Sequence, residues 1–203
     1  MSITLFIIIL TSLVSIAGFR NRAFFDKLKL NPYLIIHKKE YQRIFTHAFL
    51  HADWTHLGFN MFTLYFFGNN AEIFFEHFFE HGKLMFILLY IVGIAISAIP
   101  SILKHKNDHW YNSIGASGAV AAVLFASIFF DPRMGIYLFL IPIPIPGFVF
   151  GIVYLAYSQY MGKKNTDNIN HEAHITGAIF GFLFPLVLNP GLFTVFWNGL
   201  MGG

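Results

Sequence analysis

The peptide Gly115-Ala116-Ser117-Gly118 opens one apolar run of the chain, and His174 opens another, in Ala173-His174-Ile175-Thr176-Gly177. A serine hydroxyl attacks an acyl carbon only when a base takes its proton, and an imidazole that titrates near neutrality suits that role. The tetrahedral intermediate then needs hydrogen-bond donors for its oxyanion. His56 and Asn60, four residues apart and so on one helix face, head a third apolar run. Their side chains and the backbone N–H of Ser117 are candidate donors, each worth roughly 3 kcal/mol in the transition state. No acid is spaced to orient His174, because Glu172 is two positions away and such neighbours do not share a helix face. The pattern suits a Ser-His dyad better than a triad, and hydrolysis at a membrane.

The elements that must carry these groups are spans. Of the 203 residues, 56% are hydrophobic and 11% charged, with 26 phenylalanines, and mean hydropathy is +0.62. That mixture is too apolar for a soluble domain and predicts an all-α integral membrane protein with room for about six helices of roughly 20 residues. Cysteine is absent, which rules out a disulfide framework, a thiolate metal site and a cysteine nucleophile. The net charge of +3 is small, and basic residues flank apolar runs instead of interleaving with aromatics, so lipid headgroups rather than nucleic acid are the expected surface partner.

The predicted spans run over about 3–18, 54–75, 83–103, 113–130, 147–161 and 172–188. The first lacks the start and exit of a cleavable signal and reads as an anchor. Between the first two, residues 20–50 mix seven basic residues with Leu34, Ile35, Ile36, Phe45 and Phe49, a pattern of short interfacial elements. Pro142, Pro144 and Pro146 forbid a helix through 141–146. Residues 163–170 form a polar loop, and the apolar tail after Asn189-Pro190-Gly191 lies at the interface. If all six spans cross, the second, fourth and sixth run in one direction, which gathers His56, Asn60, Ser117 and His174 on one side of the membrane. Small residues spaced by four, Gly118, Ala122 and Ala126 on the fourth span and Gly177 and Gly181 on the sixth, let those helices approach closely.

With these residues in place, the chain resembles the rhomboid intramembrane serine proteases. The stretch from His51 through His56 and Asn60 to Gly68, the Gly115-x-Ser117-Gly118 peptide and Ala173-His174-x-x-Gly177-x-x-x-Gly181 occur in that family's order, over about residues 40–185. The resemblance implies a single six-helix rhomboid membrane domain over 1–203 with its core at about 40–190. It also implies Ser117 as nucleophile, His174 as general base, and His56, Asn60 and the Ser117 amide as oxyanion hole. Gly115, Gly118, Gly177, Gly181 and Arg43 become structural supports, the substrates are transmembrane proteins, and no cofactor or metal is required. Two departures stand out. Gln42 replaces the tryptophan that often precedes Arg43, with Tyr41 or Trp54 expected to compensate. Ala121 replaces the aromatic residue that often stacks on the base, so His174 must be oriented otherwise, by a neighbouring phenylalanine.

Competing readings are a catalytically silent rhomboid-like binder of transmembrane segments and a histidine-lined transporter or metal protein. The i,i+4 pairs His47 and His51, His77 and His81, and His105 and His109 invite the last, but no carboxylate or third ligand accompanies them at suitable spacing. His171-Glu172-Ala173-His174 misses the zinc-protease register by one residue. The expected setting is a bacterial inner membrane, with a cytoplasmic N-terminus and the site opening to the extracytoplasmic side, as the family's usual plan implies. That plan leaves only Lys83 and Arg133 of the 13 basic residues on the cytoplasmic side, against the positive-inside tendency.

Overall fold

The computed structural model describes residues 1–138, 141–164, 166–167 and 169–202. The first apolar run becomes α1 (Ile3–Arg20), which turns Thr4, Ile7, Thr11, Ser15 and Gly18 inward at three- or four-residue spacing, four of the five being small or polar. That narrow stripe lets it lie close against α5 (Trp54–Phe78). The contact is anchored by Glu72 of α5, a buried carboxylate that accepts the N–H groups of Ile3 (2.8 Å) and Thr4 (3.0 Å) and the Thr4 hydroxyl (2.9 Å). A charge inside a membrane helix is thereby satisfied by three donors at the positive end of another helix.

The basic segment after α1 folds into the predicted short elements, α2 (Arg22–Leu28), α3 (Pro32–Lys38) and α4 (Arg43–Thr46), with a 3-10 turn at His47–Phe49. Asn21 and Asn31 cap α2 and α3 through their side-chain oxygens. The remaining helices are α6 (Gly82–His105), α7 (Ser117–Phe130), α8 (Gly147–Lys164), α9 (His171–Leu188) and α10 (Phe193–Met201). Every residue of α7 from Gly118 to Phe130 is buried, which makes it the centre of the bundle. Around it, large apolar side chains such as Phe59, Phe62, Ile91, Ile152, Leu183 and Val187 face outward, as surfaces in contact with lipid do.

The chain is mostly helical, as expected, with two boundaries corrected. A short sheet is added where no helix was expected: β1 (Gly135–Leu138) and β2 (Ile141–Pro146) pair antiparallel, Gly135 with Pro146 and Ile136 with Ile145. Alternating prolines that exclude a helix are compatible with a two-stranded edge, where half the N–H groups need no partner. The fourth span starts at Ser117 instead of 113, because Ser113 is drawn into an antiparallel bridge with Leu30. Of the predicted polar loop, residues 163 and 164 belong to α8, while Asn165 and Asn168 lie outside the described residues.

Among the described residues, α1, α6 and α9 are long and apolar enough to cross a membrane. α7 is apolar but only 14 residues long. That is about 21 Å of helix against a hydrocarbon core of about 30 Å.

Candidate active site

Ser117 depends on the turn that precedes it. Gly115 has φ +116°, open to glycine and strained for other residues, and a Cβ there would stand 2.9 Å from His56 Cε1. Its N–H donates to the His47 carbonyl (3.0 Å), and Ser113 exchanges two backbone hydrogen bonds with Leu30 (3.0 and 3.1 Å). The α1–α5 connection is therefore the cradle of this turn. Ser117 is the first residue of α7, whose helical ladder starts with Val120 N–H donating to Ala116 O (2.9 Å). The N–H groups of Ser117 and Gly118 precede that bond, at the positive end of the helix dipole, where a developing anion is favoured.

His56 enters from α5, held by Asp53, whose carboxylate accepts the His56 N–H (2.8 Å). Its Nδ1 accepts the Ala52 N–H (3.4 Å), which places the ring proton on Nε2, the nitrogen beside Gly115. Asn60, one turn further, is buried and donates one amide hydrogen to the His56 carbonyl (3.0 Å), leaving the other. Behind them stands His51, fully buried and edge-on to the His56 ring at 4.8 Å. Ser15 of α1 spends its hydroxyl proton on the Phe49 carbonyl (2.7 Å), so it accepts from His51 Nδ1 (2.9 Å), and His51 Nε2 is left buried as a bare acceptor. Burial pushes the His51 pKa down to about 3 and that of His47 to about 4, so both rings are neutral at pH 7.

His174 arrives through the cap of α9. Asn170 accepts the Ala173 N–H on its side-chain oxygen (3.1 Å) and donates its amide to the Ser101 hydroxyl of α6 (2.8 Å). α9 then lies directly on α7. A Cβ on Gly177 would fall on the Gly118 carbonyl, and one on Gly181 on the Ala122 carbonyl, while a Cβ on Gly118 would meet Ser97 of α6 and the Ala173 carbonyl. The turn bearing His174 and the turn bearing Ser117 are thus in backbone contact. The hydrogen bonds around them go elsewhere, as from Asn60 to the His56 carbonyl and from Thr176 to the Glu172 carbonyl, and none joins Ser117 to His174. Such pairs commonly close only when substrate is present.

The half-buried His174 ring faces Tyr154 of α8, with centroids 6.3 Å apart and planes 28° apart, and meets His171 at 6.0 Å. The nearby acids are committed: Glu172 to Lys104 of α6 (2.7 Å), Asp167 to His171 (3.2 Å). The His171 contact holds the Asp167 carboxyl below the usual range. Among the described residues no three His, Asp or Glu side chains gather as metal ligands.

The N-terminal ends of α5, α7 and α9 thus meet, with Gly115 against His56 and Gly118 against the Ala173 carbonyl. A family model, the Rhomboid domain, matches residues 38–190. The chain belongs to the rhomboid family. It is 28% identical over 150 residues to "RHOMBOID-like protein 12, mitochondrial" of Arabidopsis thaliana, covering 66% of this chain and 43% of that one. It is 26% identical over 147 residues to "Rhomboid protein 1, mitochondrial" of Saccharomyces cerevisiae, covering 68% and 39%. Against "Putative rhomboid protease YdcA" of Bacillus subtilis it is 31% identical over 151 residues, covering 71% and 65%. The matched region thus spans less than two thirds of each of these relatives. Family membership and the apolar helices make this a multi-pass membrane protein.

This rhomboid compensates for its two departures differently from the sequence-based expectation. Tyr41 is exposed, and Trp54, though also exposed, rests on Phe19 of α1 at 5.1 Å. The connection before α5 is tied down by Arg43 itself, buried, paired with Glu40 (2.6 Å) and donating to the Asp26 and Lys29 carbonyls (both 2.9 Å). The ring beside His174 is a tyrosine from α8, not a phenylalanine. Sequence spacing had no route to Tyr154, since it sits twenty residues before His174 across a loop. Asn170 was legible as an N-cap residue, a signal passed over.

Proposed function

We propose that this chain is an intramembrane serine endopeptidase that cleaves peptide bonds in or beside transmembrane segments of membrane proteins. The observation that carries the reading is the seating of Gly177 on the Gly118 carbonyl, which puts the turn of His174 against the turn of Ser117. In the reaction Ser117 Oγ gives its proton to His174 and bonds to the substrate carbonyl carbon. The oxyanion is met by the Ser117 N–H, His56 Nε2–H and the second Asn60 amide hydrogen. Collapse breaks the peptide C–N bond, and His174 returns the proton to the leaving amine. His174 then takes a proton from water as its hydroxyl adds to the acyl carbon, and gives that proton to Ser117 Oγ as the ester C–O bond breaks and the acid leaves.

The helices α1, α5, α6, α7, α8 and α9 are the six spans of this reading, in one domain over 1–203. Because α7 is shorter than the bilayer, Ser117 sits several ångströms below the membrane surface when Asp131 and Arg133 mark the opposite one. A substrate helix must unwind there to present its carbonyl, since helical peptide bonds are shielded. The setting we propose is a bacterial inner membrane with the site facing out. Purified protein and its Ser117→Ala variant, given a reporter membrane substrate, test the reading. Cleavage and fluorophosphonate labelling should be lost only in the variant, whereas equal cleavage by both defeats the protease assignment.

A further inference from the structure

Position 121, four residues and one turn after Ser117, carries only a methyl group, and it is buried. On that side of His174 the aromatic surface comes from another helix. The Tyr154 ring is tilted 28° from the imidazole with centroids 6.3 Å apart, within the range of aromatic pairs, and is itself braced by Phe125 of α7 (5.6 Å) and Phe150 (5.9 Å). Ala121, Phe125, Ile128 and Ala178 form one apolar cluster into which Tyr154 packs. No carboxylate orients the imidazole, because Glu172 and Asp167 are engaged elsewhere, so its orientation rests on ring contacts: Tyr154 on one side and His171, edge-on at 6.0 Å, on another.

Resting on the protease reading, we infer that Tyr154 is the positioning residue for His174, holding the base by ring contact from α8. The site is therefore complete only while α8 is docked. α8 is held by a narrow seam: its buried residues are Gly147, Gly151 and Ser158, while Ile152, Val153, Tyr157 and Tyr160 are exposed. A Cβ at Gly151 would already touch Phe125 at 3.4 Å, so this seam brings Tyr154 onto the base.

The test compares wild type, Tyr154→Ala, Tyr154→Phe and the double variant Tyr154→Ala/Ala121→Tyr in one detergent, for kcat, KM, fluorophosphonate labelling rate and thermal midpoint. Tyr154→Ala should lose about 10- to 100-fold in kcat and in labelling rate, the scale of a misplaced catalytic group, with KM changed less than about twofold. Tyr154→Phe, which keeps the ring, should stay within about twofold of wild type. The double variant, returning a ring to the same cluster from α7, should recover at least half of the lost kcat on a logarithmic scale. Wild-type kcat in Tyr154→Ala, a Phe variant as poor as Ala, or a double variant that regains the thermal midpoint but no kcat overturns the inference alone. A wild type that neither labels nor cleaves overturns the protease reading and this inference with it.

Discussion

The histidines divide by environment more than by motif. His51 and His47 are buried in the α1–α5 connection, one bonded to Ser15 and the other to the Arg43 carbonyl. Burial holds them neutral, with pKa values of about 3 and about 4 against about 6.5 in an unfolded chain. The sign of the linkage follows. Above pH 6.5 neither state binds these protons and stability is flat. As pH falls from about 6.5 toward 4, the unfolded chain takes up protons that the folded one refuses, so stability declines. Thermal midpoints in detergent should drop between pH 7 and pH 5, and His47→Gln should flatten that drop. An unchanged midpoint in wild type would show that these rings are not held neutral by the fold. The His56 tautomer is set separately, by the Ala52 N–H on its Nδ1.

At the scale of elements, the approach of α9 to α7 is set by the absence of side chains. Alanine at Gly181 places a Cβ on the Ala122 carbonyl, backbone against backbone, where no rotamer change gives relief. Gly58 of α5 is the internal control, with nothing within 4 Å of an added Cβ. Gly58→Ala should be neutral or stabilising by about 0.5–1 kcal/mol, the helix cost of glycine. Gly181→Ala should lower the thermal midpoint sharply and reduce cleavage, because displacing α9 displaces His174. Equal midpoints for the two variants would refute a contact-limited packing. These glycines were legible because four-residue spacing of small residues has one physical use in a membrane. Helix limits were legible to within a few residues, since apolarity and the Pro132 and Pro190 stops decide them. The strand pair of 135–138 and 141–146 was not, because proline alternation excludes a helix without naming what replaces it. Glu72 and Tyr154 were not legible either, since each contacts a partner distant in sequence, the start of α1 and the ring of His174.

Across the whole molecule, charge is laid out by face. The ends of α1, α6 and α8 meet the starts of α5, α7 and α9 on one side of the bundle: Phe19 rests on Trp54, Gly115 on His56, Gly118 on the Ala173 carbonyl and Gly162 on His171, and Lys104 pairs with Glu172. That side carries every lysine and arginine except Lys83 and Arg133. The positive-inside tendency would retain such a face in the cytoplasm. Part of this charge is structural: Arg43 is buried in its pair with Glu40, and Lys29 and Arg22 are paired with Asp26 (2.8 and 3.3 Å). Burial of Arg43 in a folded cradle places it in protein architecture instead of at a headgroup. The proposed outward-facing site therefore predicts that a reporter fused ahead of Met1 reads as cytoplasmic, because α1 leads from that end to the basic side. It also predicts that a membrane-impermeant reagent labels a cysteine placed at exposed Lys38 in intact cells and spares one at exposed Lys83. The reverse labelling would turn the molecule over and place its site at the cytoplasmic surface, leaving the chemistry of Ser117 and His174 untouched but changing which membrane proteins can reach it.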